Sequence, residues 1–251
     1  MSDRFPWYDS SWLTSYARAT RYISQLHPNR LDEFVHAFDV LRTDPNFRTR
    51  RIENALSPED HARLKAFIAT ESGRSIEKHE VLRFGRTIIH DAELCNELQE
   101  KLTEPMSEWV NEPVVPCYNF LSLYNNLGIC GMHLDAPSAK WTFDYCIEQS
   151  GSWPIHLSQV RPWPETWAND DPDWEATVRN DPDNQFSPIE LQEGEAIIFS
   201  GSSQWHYRDR IYTPRPQQLL PPDILPLCSR RNATLDGTQM LGGLFRYSAT
   251  D

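Results

Sequence analysis

His133 and Asp135 flank a single leucine in the run LYNNLGICGMHLDAP at 123–137. Successive side chains on a strand point to opposite faces, so residues i and i+2 share a face with Cα atoms ~6.5 Å apart. On a strand through a rolled β structure, imidazole 133 and carboxylate 135 point inward together and Leu134 points away. Two donors on one strand do not fix a cation, so a third has to come from elsewhere. His206, in EGEAIIFSGSSQWHYRDRI, is the best candidate. There a Glu193-Gly194 turn leads into the apolar strand AIIFSG, a small-residue turn GSSQ follows, and His206 stands on the next strand. Two imidazoles and one carboxylate on one side of an octahedral ion leave three positions open. Each residue alone has a plainer reading. His133 could be a core histidine bonded to a carbonyl, Asp135 before Ala-Pro a turn-starting acid, and His206 beside Trp205 and Tyr207 ordinary sheet packing. Their joint occurrence favours the metal site.

This donor set is the facial triad of non-haem iron(II) oxygenases. Around it, the C-terminal half of the chain, about 114–248, resembles the iron(II)- and 2-oxoglutarate-dependent dioxygenases. His133-Leu134-Asp135 matches their HxD. Tyr124 and Gly128 ahead of it match their Y…G…HxD layout, in which the tyrosine often reaches the oxoglutarate. GEAIIFSGSSQWH matches the approach to the distal histidine, and Arg246-Tyr247-Ser248 matches the RxS of the last core strand. The resemblance implies a double-stranded β-helix, or jelly-roll, core. It also implies Fe(II) on His133, Asp135 and His206, O2, and 2-oxoglutarate anchored by Arg246 and Ser248 with help from Tyr124.

The arginine departs from the family's pattern, in which it follows the distal histidine closely. Arg215 has that spacing but lies between two prolines in TPRPQQ, where a core strand is disfavoured. Arg246 fits if 213–239 is an insertion before the last strand. Arg208, two residues after His206 and on the same face, is the other candidate. The order of preference is Arg246, Arg208, Arg215. An arginine is wanted because its planar guanidinium grips a carboxylate with two parallel hydrogen bonds and a fixed charge.

The elements that must position these groups divide along the chain. Up to about residue 112 the pattern is mainly helical. LDEFVHAFDVLR puts Leu31, Phe34, Val35, Phe38 and Leu41 on one stripe. SPEDHARLKAFIA opens with Ser57 as N-cap, Pro58 at the first helical position and Asp60 closing a capping box. DAELCNELQEKLTEPMSEWV is a further helix that Pro105 should kink or split. Between the last two, EVLRFGRTII reads as a strand. From 113 onward VVPCYNFLSLY, KWTFDYCIEQ, WPIHLSQV, EAIIFSG, QWHYRDRIY and QMLGGLFRYS read as short strands. Helices first and strands after predict an α+β fold: one domain, with helices packed outside a mostly antiparallel β core. Insertions are expected at about 159–188 and 213–239. The first belongs to the Trp- and Pro-rich stretch 153–188, read as irregular; it is either a ligand-facing lid or a loop packed on the core by its own aromatics.

Composition narrows the partners. With a net charge of −12, the chain would repel a polyanion, so no nucleic-acid partner is expected. No run is long and apolar enough to span a membrane, and MSDRFPWYDSSW lacks the basic-then-apolar order of a signal peptide. The expectation is a cytoplasmic protein. Cys95, Cys117, Cys130, Cys146 and Cys228 are odd in number and form no CxxC, so they read as buried thiols. The remaining histidines read as surface or helix residues, except that His156 could line the barrel. The functional expectation is an oxygenase that oxidises an unactivated C–H of a small molecule, such as an amino-acid derivative or natural-product intermediate. The alternatives are a protein side-chain hydroxylase and a non-catalytic, cupin-like small-ligand module.

Overall fold

The structure, a computed structural model, describes residues 10–70, 78–163, 173–211 and 238–248. In chain order the elements are α1 Ser10–Leu26, α2 Leu31–His36, β1 Arg50–Glu53, α3 Pro58–Thr70, α4 Lys78–Phe84, β2 Arg86–His90, α5 Glu93–Val110, β3 Val114–Tyr124, β4 Cys130–His133, β5 Trp141–Gln149, β6 Ile155–Leu157, α6 Trp174–Asn180, β7 Ser187–Ile189, β8 Glu195–Ser200, β9 His206–Arg208 and β10 Thr238–Tyr247.

The strands form two antiparallel sheets. The larger has the order β1-β8-β5-β10-β3-β2 and the smaller β4-β9-β6-β7. Alternation along the strands then builds three apolar clusters. On the larger sheet Leu121, Phe143, Tyr145, Ile198, Leu241 and Phe245 point outward onto Leu64 and Ile68 of α3 and Leu98, Leu102 and Met106 of α5. On the smaller sheet Met132, Leu134, Trp205 and Tyr207 point outward onto Leu13 and Tyr16 of α1 and Phe34 of α2. Between the sheets lie Cys146, Ile155, Leu157, Ile197, Phe199 and Met240. The continuous apolar run AIIF of β8 follows from this layering, since both faces of that strand are covered. This is the double-stranded β-helix with helices outside.

Several local expectations change. The stretch EVLRFGRTII is half helix: α4 runs to Phe84, and β2 starts at Arg86. Gly85 makes the switch, with φ +62°, and a Cβ there would stand 2.6 Å from the Leu127 carbonyl carbon, so both the backbone and the space require glycine. β1 and β2, from the mainly helical part, supply both edges of the larger sheet. α5 runs unbroken through Pro105 and stops at Asn111, whose φ of 57° is left-handed. LDEFVHAFDVLR forms the short α2 and then a 3-10 turn at Asp39–Leu41. The irregular Trp-rich stretch contains the two-turn helix α6. At α3 the cap is present: the Asp60 N–H donates to Ser57 Oγ at 3.0 Å. The insertion at 213–239 lies outside the described residues up to 237. Among the described cysteines Cys95 and Cys146 are buried, but Cys117 is exposed. Among the described residues no helix is long and apolar enough to cross a membrane.

Candidate metal centre

His133 closes β4 and stands directly opposite His206, the first residue of β9. Strand pairing therefore brings two distant histidines to a ring separation of 4.1 Å. Their neighbours Met132, Leu134, Trp205 and Tyr207 anchor the outer face, which leaves both imidazoles no direction but inward. Asp135 follows just after the strand. Its N–H donates to the Gly201 carbonyl at 2.8 Å, and its Oδ2 accepts from Thr142 Oγ1 at 2.6 Å. Its other oxygen, Oδ1, lies 3.5 Å from His133 Nε2 and 3.7 Å from His206 Nε2.

The far side of each ring is tied down as well. His133 Nδ1 lies 2.9 Å from the Gly131 carbonyl and His206 Nδ1 2.9 Å from the Gln204 carbonyl. A carbonyl only accepts, so Nδ1 carries the proton, and in a neutral ring the Nε2 lone pair faces Oδ1. Burial lowers the pKa of His206 to about 4, with His133 adding to the effect, so this ring is neutral at pH 7. Burial pushes Asp135 up, but His206, His133 and the Thr142 hydroxyl outweigh it and hold its pKa at about 2. A carboxylate and a neutral imidazole are the protonation states a divalent metal requires. One ligand atom from each of the three residues lies within 4.8 Å of the others, the only such group among the described residues. Ligands at right angles, ~2.1 Å from an ion, stand about 3 Å apart. The Oδ1–Nε2 separations of 3.5 and 3.7 Å are close to that spacing, and two imidazoles with one carboxylate are a donor set that suits a six-coordinate ion.

The triad faces a cavity of about 340 Å³ between the sheets. Two arginines line it. Arg208, two residues after His206, donates to the Trp153 carbonyl at 2.6 Å and to Asp144 Oδ2 at 2.9 Å. Arg86, at the start of β2, donates to Glu80 at 2.5 Å and to the Tyr124 hydroxyl at 3.0 Å. They are only 5% and 6% exposed. Tyr124 also lines the cavity, as do the apolar Ile155, Phe199 and Met240.

The other expected site residues are placed elsewhere. Arg246 is exposed on β10 opposite Val115, beyond a bulge at Leu244/Phe245, and Ser248 bonds the Pro113 carbonyl. Neither lines the cavity, because the inward positions of β10 that do are Met240 and Gly242. Arg215 lies outside the described residues. His156 stacks on the outward Tyr207, and Ile155 takes the inward position instead. His79 and His90, read as peripheral, line the cavity. Trp153 packs on Tyr124 at 4.6 Å and Trp163 on Trp12 at 4.9 Å, so these two tryptophans of the Trp-rich stretch are held by aromatic packing. Residues 164–172, the middle of that stretch, lie outside the described residues. The sequence reading missed Arg86, Thr142 and Asp144. A signal existed: in WTFDYCIEQ the bulky Trp141, Phe143 and Tyr145 alternate with Thr142, Asp144 and Cys146, which marks the second set as inward.

No protein-family model and no curated protein sequence matches the chain. Solved structures do. The non-heme alpha-ketoglutarate-dependent epimerase SnoN from nogalamycin biosynthesis superposes with a TM-score of 0.55 at 11% identity, over 79% of this chain and 76% of its own. HygX from Streptomyces hygroscopicus, solved with nickel, 2-oxoglutarate and hygromycin B bound, gives 0.51 at 10% identity over 86% of both chains. The non-heme alpha-ketoglutarate-dependent carbocyclase SnoK gives 0.50 at 10% identity, over 82% of this chain and 87% of its own. The chain thus has the fold of 2-oxoglutarate-dependent enzymes, and an HxD…H group stands inside it.

Proposed function

We propose that this protein is an iron(II)- and 2-oxoglutarate-dependent oxygenase that oxidises a C–H bond of a small molecule, such as an amino-acid derivative or natural-product intermediate. One observation carries the reading. His133, Asp135 and His206 converge in a buried cavity with both Nδ1 atoms held by carbonyls and both Nε2 atoms turned to one carboxylate oxygen. In this reading His133 Nε2, Asp135 Oδ1 and His206 Nε2 hold the iron. When bound, iron(II) with 2-oxoglutarate and O2 supplies the oxidising chemistry, and the cosubstrate leaves as succinate and CO2.

The chain's own residues supply position and a dry site. Arg208 takes the far carboxylate of the cosubstrate, supported by Arg86 and Tyr124. All three share the triad's cavity, and the Arg208 guanidinium has donors beyond the two that the Trp153 carbonyl and Asp144 use. This role passes from Arg246 and Ser248 to Arg208 because the first two stand outside the cavity. Ile155, Phe199 and Met240 exclude water. The structural neighbours include an epimerase and a carbocyclase, so the proposal is put at the level of C–H oxidation, with hydroxylation as one outcome.

The test uses purified protein. Anaerobic Fe(II) with 2-oxoglutarate should give the weak visible band of the chelate, and admission of O2 should release succinate. His133→Ala should abolish both. A protein that binds metal yet gives neither band nor succinate would instead be a binding module on this fold.

A further inference from the structure

Asp135 is the one triad member outside a strand. β4 ends at His133, so no ladder hydrogen bond fixes the carboxylate. Three contacts do so instead, and two come from Gly201. Its carbonyl accepts the Asp135 N–H at 2.8 Å. Its α-carbon lies flat against the carboxylate: a Cβ built on Gly201 would fall inside the contact distance of both Asp135 Oδ2 and Thr142 Oγ1, and 2.8 Å from the carboxylate carbon. Gly201 is not in the left-handed region, so space rather than backbone conformation requires the glycine here. The third contact is the 2.6 Å hydrogen bond from Thr142 Oγ1 to Oδ2. Thr142 is 7% exposed, and its neighbours Trp141 and Phe143 are buried on the opposite face of β5, which turns Thr142 inward.

The two carboxylate oxygens are therefore unequal. Oδ2 is occupied by the threonine and covered by the glycine, and Oδ1 faces both Nε2 atoms. We propose that Gly201 and Thr142 are positioning residues of the metal centre, which seat Asp135 so that Oδ1 alone is offered to the cation. A free carboxylate can bind a metal through one oxygen or two. A second oxygen would occupy one of the positions that the cosubstrate and O2 require. The seat keeps those positions open, and it arises where the β8–β9 turn meets β5, away from the HxD motif in sequence. This inference rests on the metal-centre reading above.

The test reads metal binding rather than turnover. Metal-free wild type, Gly201→Ala, Thr142→Val and Thr142→Ser are titrated calorimetrically with Co(II), and the visible ligand-field band of each complex is recorded. Circular dichroism and thermal unfolding of the metal-free forms report folding. Loss of a group that orients a ligand typically weakens metal affinity about 10–100-fold. That loss is expected for Gly201→Ala and Thr142→Val, with an altered band, while Thr142→Ser keeps the hydroxyl and stays close to wild type. If Gly201→Ala does not fold, the threonine pair decides. Folded Thr142→Val with wild-type affinity and an unchanged band would overturn the proposal. Wild type that takes up no Co(II) would overturn the metal-centre reading and this one with it.

Discussion

At the scale of single residues, the site depends on which charges stand inside the cavity. A buried guanidinium needs a counter-charge. Arg208 has Asp144 and Arg86 has Glu80, so each guanidinium has a carboxylate partner. In the proposed function an arriving carboxylate meets the Arg208 fork, with Arg86 lining the same cavity. Charge-assisted hydrogen bonds contribute about 1.5–3 kcal/mol each. Arg208→Lys, which keeps the charge and loses the fork, should weaken 2-oxoglutarate binding about tenfold or more, measured by calorimetry on the metal-loaded protein under anaerobic conditions. Arg86→Lys should weaken it in the same direction. Arg246→Gln should leave it unchanged, because that side chain is exposed. A large loss at 246 with none at 208 would return the anchor to the last strand. Arg208 was legible beside His206 because i, i+2 spacing on a strand reports a shared face, whereas Asp135 lies just past β4 and is turned inward by its bonds to the Gly201 carbonyl and Thr142. Arg86 was not legible, because its strand begins in the middle of a stretch that looks uniform in pattern.

At the scale of elements, two junctions carry testable strain or charge. Gly85 turns α4 into β2 and so aims Arg86 at the cavity. An L-residue in the left-handed region costs about 1–2 kcal/mol before any clash. Gly85→Ala also meets the Leu127 backbone, so its urea midpoint should fall by at least that equivalent with an unchanged slope. On the outer layer, Arg63 of α3 bridges Asp60 and Glu97 of α5, and Lys101 bonds the same two acids. Hydrogen bonds from Arg63 and Lys101 hold Glu97 down at about 2. Its folded pKa is depressed, so the network's contribution is present above the unfolded value near 4.5 and is lost as pH falls toward 2. These groups are exposed, so the effect is small and salt-sensitive. The stability gap between wild type and Arg63→Gln should therefore narrow from pH 5 to pH 2.5, and narrow again in 1 M salt, in paired thermal melts. A gap independent of pH would assign the effect to packing of the arginine stem instead.

At the scale of the whole molecule, two sheets and two helical layers separate stability from chemistry. The cluster under α3 and α5 contains no cavity-lining residue; the cavity's apolar wall comes from the cluster between the sheets. Leu98 is completely buried in the outer cluster. Leu98→Ala should lower unfolding free energy by about 2–5 kcal/mol. It should leave the 2-oxoglutarate affinity of the folded fraction unchanged, as read by denaturant titration and calorimetry together. A loss of affinity without a loss of stability would show that the helical layer reaches the site.

The sequence by itself determined which residues could ligate a metal, the class of the core through the resemblance its motifs carry, and the inward faces of His133, His206 and Arg208. The faces follow from local periodicity, because a strand's alternation assigns each residue to a face whatever its neighbour is. Only the tertiary structure decided what meets across the cavity. The pairing of β4 with β9 joined His133 to His206, and the β8–β9 turn brought Gly201 against Asp135. The entry of β2 as an edge strand supplied Arg86, and the end of β10 left Arg246 exposed opposite Val115. Such contacts depend on register and sheet order, which long-range pairing sets and no short window of sequence contains.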